Sequence, residues 1–297
     1  MPGKWTNGTR VKRRIARLDP ERDNEQLTHL SLEVLYGDPI FVHASYLVAF
    51  SRQVAVPSIA RIVYRGGGGD IIRDTPRRND DTLTFFGEYL RRGHSSHAGR
   101  AAIARMERIH NRFPITDDDK RYTLASLMFE GDRIALHLGL DPFTEAERQA
   151  RWHFWSGVAT QMPLGGLPDT RRAFWEWTHD YEREHFDYTP GGRAIVDALF
   201  EDWTTRWFPA PGRRLGRQLL LALMDDRLRA AHRLEDPSPH ALTLLRVGAR
   251  AYFALTRLRP LRTERSWVDY FGRHHGPSPD FERVGHQAPD EPARESA

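Results

Sequence analysis

The sequence has no cysteine in any of its 297 residues. That absence excludes disulfides, zinc–thiolate sites, iron–sulfur clusters, a cysteine nucleophile and thioether attachment of a haem. Lysine is almost missing too. Lys4, Lys12 and Lys120 are the full complement, and arginine supplies the remaining positive charge. The formal net charge is only +4, too weak a field to point to a nucleic-acid partner. No stretch reaches the roughly eighteen apolar residues that a membrane-spanning helix needs; the nearest approach is LLLALM at 219–224. The amino terminus, MPGKWTNGTRVKRRIARLDP, is basic but has no apolar run, so it does not read as a secretory signal. No transmembrane segment is expected, and the expected location is cytoplasmic.

What the chain does have is aromatic and helical. Eight Trp, nine Tyr and fifteen Phe supply enough large apolar surface for a substantial core. Helix-compatible spacing recurs over 24–35, 43–54, 81–93, 99–113, 144–162, 169–186, 191–208, about 212–234 and 238–257. Asp81, Thr144 and Asp169 are good N-caps, and Thr144 with Glu147 forms a capping box. Gly93, Pro114 and Pro190 supply stops or breaks. No alternating strand pattern persists, so the expected fold is all-α, in a single large domain. The run YRGGGGDIIRDTPRRND (64–80) reads as the main irregular connection, because four glycines in succession disfavour a helix. The expected organisation is a flexible segment at 1–15, one helical domain at 16–271 and a disordered, Pro-rich tail at 272–297.

The glycine run lacks the context of a nucleotide-binding loop: no Gly-Lys-Ser/Thr follows it and no strand precedes it. His94 and His97 have ligand spacing but sit among Gly and Ser, and His274–His275 lies in the expected tail. The tryptophans at 152, 155, 175 and 177 fit an amphipathic core better than a stacking platform. Two features carry more chemistry. Ile103, Met106, His110 and Phe113 share one helical face, which places a titratable ring on a buried stripe. Glu107-Arg-Ile-His110 and Glu182-Arg-Glu-His185 are both Glu-x-x-His, which puts carboxylate and imidazole on one face. Two such helices, with Glu88 and Glu147 in a workable chain order, make a ferritin-like di-iron carboxylate site. Alternatively, His110 alone ligates a haem iron while Met106 and Phe113 pack the edge of the macrocycle. A core histidine satisfied by a backbone carbonyl is the third reading. The pattern by itself leaves all three open.

Residues 105–182, which contain an R-x-x-x-I-H helix, a Tyr-Thr-Leu stretch, a T-x-x-E helix start and a Met–Gly–Leu-Pro passage before a Trp-rich helix, resemble the MpaB-type oxygenases. These are related to the latex-clearing rubber oxygenases. Upstream, Arg78 and Thr82 in RRNDDT match the family's Arg-x-x-x-Thr pair. The resemblance spans roughly residues 16–260. It implies an all-helical, globin-like core holding a non-covalent haem b, with His110 as the proximal iron ligand. Arg78 and Thr82 would then support the haem or its distal pocket. It further implies oxidative cleavage of an isoprenoid carbon–carbon double bond, or a related oxygenation, of a small apolar substrate with dioxygen as co-substrate. A haem-carrying sensor without turnover would share the same site.

Two departures bear on the substrate. Asp81 stands where rubber-cleaving members carry a lysine that can cap the iron, and its carboxylate is the candidate replacement. Those members also carry an upstream glutamate as a proposed base, whereas SIARIVYRGGGG offers no acid before Asp70. Both departures argue against rubber itself as the substrate.

Overall fold

The computed structural model describes residues 5–276 and 279–287. The rest of the expected tail, and residues 1–4, lie outside the described residues. The chain is helical throughout, apart from one short ribbon in which Trp5–Asn7 (β1) pairs antiparallel with Pro260–Arg262 (β2). The ribbon leads into α1 (Gly8–Ile15), which buries Val11 and Ile15. Residues 5–15, expected to be flexible, are therefore packed: apolar side chains at i and i+4 give even this Arg-rich helix one inward face.

α2 (Asn24–His29) runs into a π-helical turn at Leu30–Leu35. α3 (Pro39–Gln53), α4 (Pro57–Tyr64) and α5 (Asp70–Arg73) follow. The glycine run links α4 to α5 in a compact turn. Gly66 and Gly67 take positive φ, and a side chain on Gly69 would collide with the carbonyl of Val63. Glycine is required there by geometry rather than for looseness.

α6 (Thr75–Arg92) starts six residues before the predicted cap at Asp81. Its actual cap is Asp74, which accepts from the Arg77 N–H, and Pro76 occupies the first turn. Gly93, at φ +81, ends it as expected. α7 (His97–His110) is capped by Ser96 and closes just before Pro114. α8 (Asp117–His137) is capped by Thr116, with three aspartates in its first turn favouring the positive end of the helix dipole. It was not foreseen as a helix. α9 (Glu145–Gln161) opens on the expected Thr144/Glu147 capping box. α10 (Arg171–His185) is capped by Thr170, one residue beyond the predicted Asp169. α11 (Pro190–Trp207), α12 (Arg213–Leu223), α13 (Asp226–Ala231), α14 (Pro239–Thr256) and α15 (Val268–Phe271) complete the order.

α3 packs along α8, α6 along α7, α2 along α9, and α11 against both α3 and α12. The largest apolar cluster joins α3, α4 and α11, and a second joins α6, α7, α8 and α9. The segment after α15 returns to the second cluster, where Val284 is fully buried. Residues 272–276 and 279–287, expected as part of a disordered tail, lie against the helices.

Candidate functional site

α3, α4, α6, α7, α8 and α9 enclose a cavity of about 210 Å³. Its wall is mostly Phe, Ile, Leu, Met and Trp, and His110, Arg78 and Thr82 all face it. The three residues singled out by sequence therefore meet at one place. The helical geometry explains how: Arg78 and Thr82 are one turn apart on α6 and share a face. His110 is the last residue of α7, on the same stripe as Met106, with Phe113 just beyond, and both of these also line the cavity.

The His110 imidazole is unusual in what it lacks. Its Nδ1 is buried with no hydrogen-bond partner, although a buried polar group left unpaired costs about 1–3 kcal/mol. Burial, followed by the nearby charges of Arg78 and Lys120, pushes its pKa down to about 4. The ring is therefore neutral near pH 7, the form in which imidazole ligates a metal. The reading of His110 as a core histidine satisfied by a carbonyl is not what is observed.

Three cations line the same cavity, and Arg78 and Lys120 act on the imidazole directly. Arg65 pairs with Asp70 at 2.8 Å, and Lys120 with Glu107 at 3.4 Å. Arg78 instead lies over the Phe50 ring at 5.4 Å and has no carboxylate partner among the described residues. A planar, forked guanidinium without a partner, beside an apolar cavity, is suited to an incoming carboxylate. The Thr82 hydroxyl donates to the Arg78 carbonyl at 2.9 Å, so its hydrogen is used within the helix.

A second, larger cavity of about 430 Å³ lies behind the first, and Tyr46, Phe86, Leu127 and Trp155 line both. The hydroxyl of Tyr46 and the Nε1 of Trp155 are buried without partners. Trp155 is a core tryptophan as expected, but it also forms the partition. Sequence reasoning missed Tyr46, Lys120 and this role of Trp155. The only available signal was the Tyr-Thr-Leu stretch, which places Thr123 and Leu124 on the cavity wall.

The di-iron constellation is not assembled. Glu107 is buried against Lys120. Glu182 is buried and held by Arg133 and by the Tyr122 hydroxyl at 2.9 Å. His185 gives its Nδ1 to the Tyr181 carbonyl at 2.9 Å. Glu88 pairs with Arg91, and Glu147 caps α9 while accepting from Ser31 at 2.8 Å. Each carboxylate has its own partner, and only Glu107 adjoins His110 in the chain. His94 lies beside Glu25 and Gln161 and belongs to no group of three or more metal-ligating side chains among the described residues.

Asp81 does not line the cavity. Its carboxylate meets His274 and His275 and accepts from the Gly285 N–H. The expectation that its carboxylate stands in for the family's iron-capping lysine is therefore not met. Successive residues turn by about 100° around a helix, so Asp81 leaves α6 on a different flank from Thr82.

Residues 35–258 match the family described as ER-bound oxygenase mpaB/B'/Rubber oxygenase, catalytic domain. A curated relative, ER-bound oxygenase mpaB' of Penicillium brevicompactum, is 24% identical over 217 residues, which cover 68% of this chain and 51% of that protein. The chain thus spans about half the length of that relative. No helix among the described residues is long and apolar enough to cross a membrane.

Proposed function

The chain belongs to the mpaB/rubber oxygenase catalytic-domain family, and from that premise we propose that it is a haem b-dependent oxygenase with His110 as proximal iron ligand. Its substrate is a small apolar molecule of isoprenoid type, attacked at a carbon–carbon double bond with dioxygen as co-substrate. The observation that carries this reading is the His110 ring: neutral, lining an apolar cavity, with a buried nitrogen that no protein group satisfies. The residues present fit the group. A non-covalent haem needs an imidazole donor, an apolar slot and cations for its propionates. His110, the aromatic and aliphatic walls, and the unpaired Arg78 supply these in turn.

Bound there, haem would contribute a redox-active iron for dioxygen chemistry. The remaining work falls to the chain. His110 stays unprotonated because burial, Arg78 and Lys120 all disfavour its cationic form. Arg78 neutralises a carboxylate at the rim, and the Thr82–Arg78 hydrogen bond ties that turn of α6 together. Met106 and Phe113 exclude water from the ring edge. The second cavity offers apolar length beyond the Tyr46–Trp155 partition, where an isoprenoid chain would leave its own water behind.

An absorption spectrum of the haem-supplemented protein, beside His110→Ala, tests the reading. A strong Soret band that shifts on reduction and weakens in the variant is expected. No Soret band in the parent protein overturns it. Haem binding without consumption of any isoprenoid alkene under dioxygen would leave a haem-binding sensor instead.

A further inference from the structure

Asp81 is a buried carboxylate, only 4% exposed, that receives two consecutive histidines from 193 and 194 residues along the chain. The Nε2 atoms of His274 and His275 lie 3.0 and 2.6 Å from the same oxygen, Oδ1. The ligand atoms of all three residues fall within 4.8 Å of one another, and no other such trio occurs among the described residues. The two ring centroids lie 4.0 Å apart, with the planes tilted by 43°. Oδ2 is occupied separately, accepting from the Gly285 N–H at 3.1 Å.

We infer that Asp81, His274 and His275 bind one divalent transition-metal ion of borderline softness, such as Zn²⁺. Two imidazole nitrogens and one carboxylate oxygen, with a position left for water, form a recurrent zinc donor set. A tetrahedral ion at about 2.0–2.2 Å from each ligand holds those ligands about 3.3 Å apart. From their present separations from Asp81, the imidazoles need to spread by under about 1 Å. The Gly285 amide fixes the carboxylate's orientation through its other oxygen, as outer-shell partners of metal ligands do. His274 keeps a third of its side-chain surface exposed, which gives an ion and its water a route in.

The site would also bear on the His110 cavity. Gly285 and His286 line that cavity. His286 is anchored by its Nδ1 to Asp70 at 2.5 Å and by its carbonyl to the Arg105 guanidinium at 3.1 Å. Gly285, at φ +81, lies so close that a side chain there would press on Ile109 and Phe85. An ion bridging α6 to His274 and His275 fastens this C-terminal strap as one wall of the cavity.

The test uses the full chain, stripped with a chelator and titrated with ZnCl2 by calorimetry, with Co²⁺ as a spectroscopic substitute. We expect one Zn²⁺ per chain and a tetrahedral-type Co²⁺ spectrum. Both should disappear in His274→Ala and in His275→Ala, two changes that leave Asp81 in place, with circular dichroism confirming that each variant folds. Zn²⁺ should also slow amide exchange of the peptide containing Gly285 at least tenfold in the parent protein and leave it unchanged in the variants. Because Asp81 is buried, Asp81→Asn is read only alongside its circular dichroism. Absence of stoichiometric binding, or binding that persists in both histidine variants, overturns the inference. The Soret test is independent of it, since zinc binding is measured without haem.

Discussion

If His110 exists to ligate a cofactor, removing it should stabilise the protein that lacks the cofactor. Its Nδ1 is buried and unpaired, a penalty of about 1–3 kcal/mol that any polar-to-apolar exchange of similar shape relieves. His110→Leu keeps most of the side-chain volume, so the cavity term that penalises truncation stays small. Neighbouring Met106, Phe113 and Leu124 are apolar and accept an aliphatic side chain. Part of the gain is lost because the ring borders an existing cavity and is not fully packed. The net expectation is a gain of about 1 kcal/mol. In a domain larger than roughly 150 residues that corresponds to a rise of about 2–4 °C in Tm. Haem-free protein and variant would be compared by urea denaturation at pH 7.5, with haem binding measured on the same preparations. Higher stability combined with loss of the Soret band is the signature of a functional ligand. A loss of more than about 1 kcal/mol in His110→Leu would refute the reasoning, because it would show the imidazole to be a satisfied part of the core.

Other residues give separate readouts. Arg52, 2% exposed, pairs with Glu130 at 2.7 Å and Asp225 at 2.5 Å and lies 3.8 Å from Glu182. Arg52→Met strands buried carboxylates and should cost about 3–5 kcal/mol by urea denaturation, part of it recovered by adding Glu130→Gln; a cost below about 1 kcal/mol would contradict the pairing. Arg78 makes no ion pair among the described residues, so Arg78→Leu should leave haem-free stability nearly unchanged. Haem affinity should fall about 10–100-fold, the worth of one charge-assisted hydrogen bond, with Arg78→Lys in between; equal affinity in all three would remove Arg78 from the site. His232 is buried, donates Nε2–H to the Ser51 carbonyl at 2.8 Å, and has its pKa lowered by burial. The unfolded chain therefore takes up the proton first, and this contribution to stability, full above about pH 6.5, is lost as pH falls below it. His232→Gln should flatten the pH dependence of the urea midpoint between pH 7 and 5.5 by at most one proton, about 1.4 kcal/mol per pH unit; an unchanged slope would show that the imidazole is not the titrating group.

The helical architecture was legible wherever one face of a segment is apolar and the other is not. It failed at α8, which is surrounded. Asp119, Glu130, Asp132 and Arg133 are all buried there, paired across to other helices. With charges turned inward, the apolar period that reveals an amphipathic helix is erased. The glycine run misled in the opposite direction, since glycine permits a tight link as readily as a loose one. His110 was legible because its stripe is otherwise apolar, but its role came from the resemblance and not from the period. Tyr46, Lys120 and Trp155 were not legible as site residues, because nothing local distinguishes a cavity wall from a core. The strap was missed because its composition is that of a tail. What holds it is a carboxylate more than 190 residues away, and composition does not register such a partner.

α6 shows how one helix can serve two sites without confusing them. Arg78, Thr82, Phe85, Phe86 and Tyr89 recur at helical spacing and face the His110 cavity, while Asp81 departs from the next flank toward His274 and His275. Thr82 and Asp81 are neighbours in sequence, yet their side chains belong to different sites. Substitutions at 78 or 82 should alter haem affinity and leave Zn²⁺ binding intact, and substitutions at 274 or 275 should do the reverse. The two sites meet at Gly285, whose amide serves Asp81 while its backbone closes the cavity against Ile109 and Phe85, and along α6, where Asp81 and Thr82 are adjacent. Coupling between them is measured as a change in haem affinity on adding Zn²⁺, and by linkage any such change must be reciprocal.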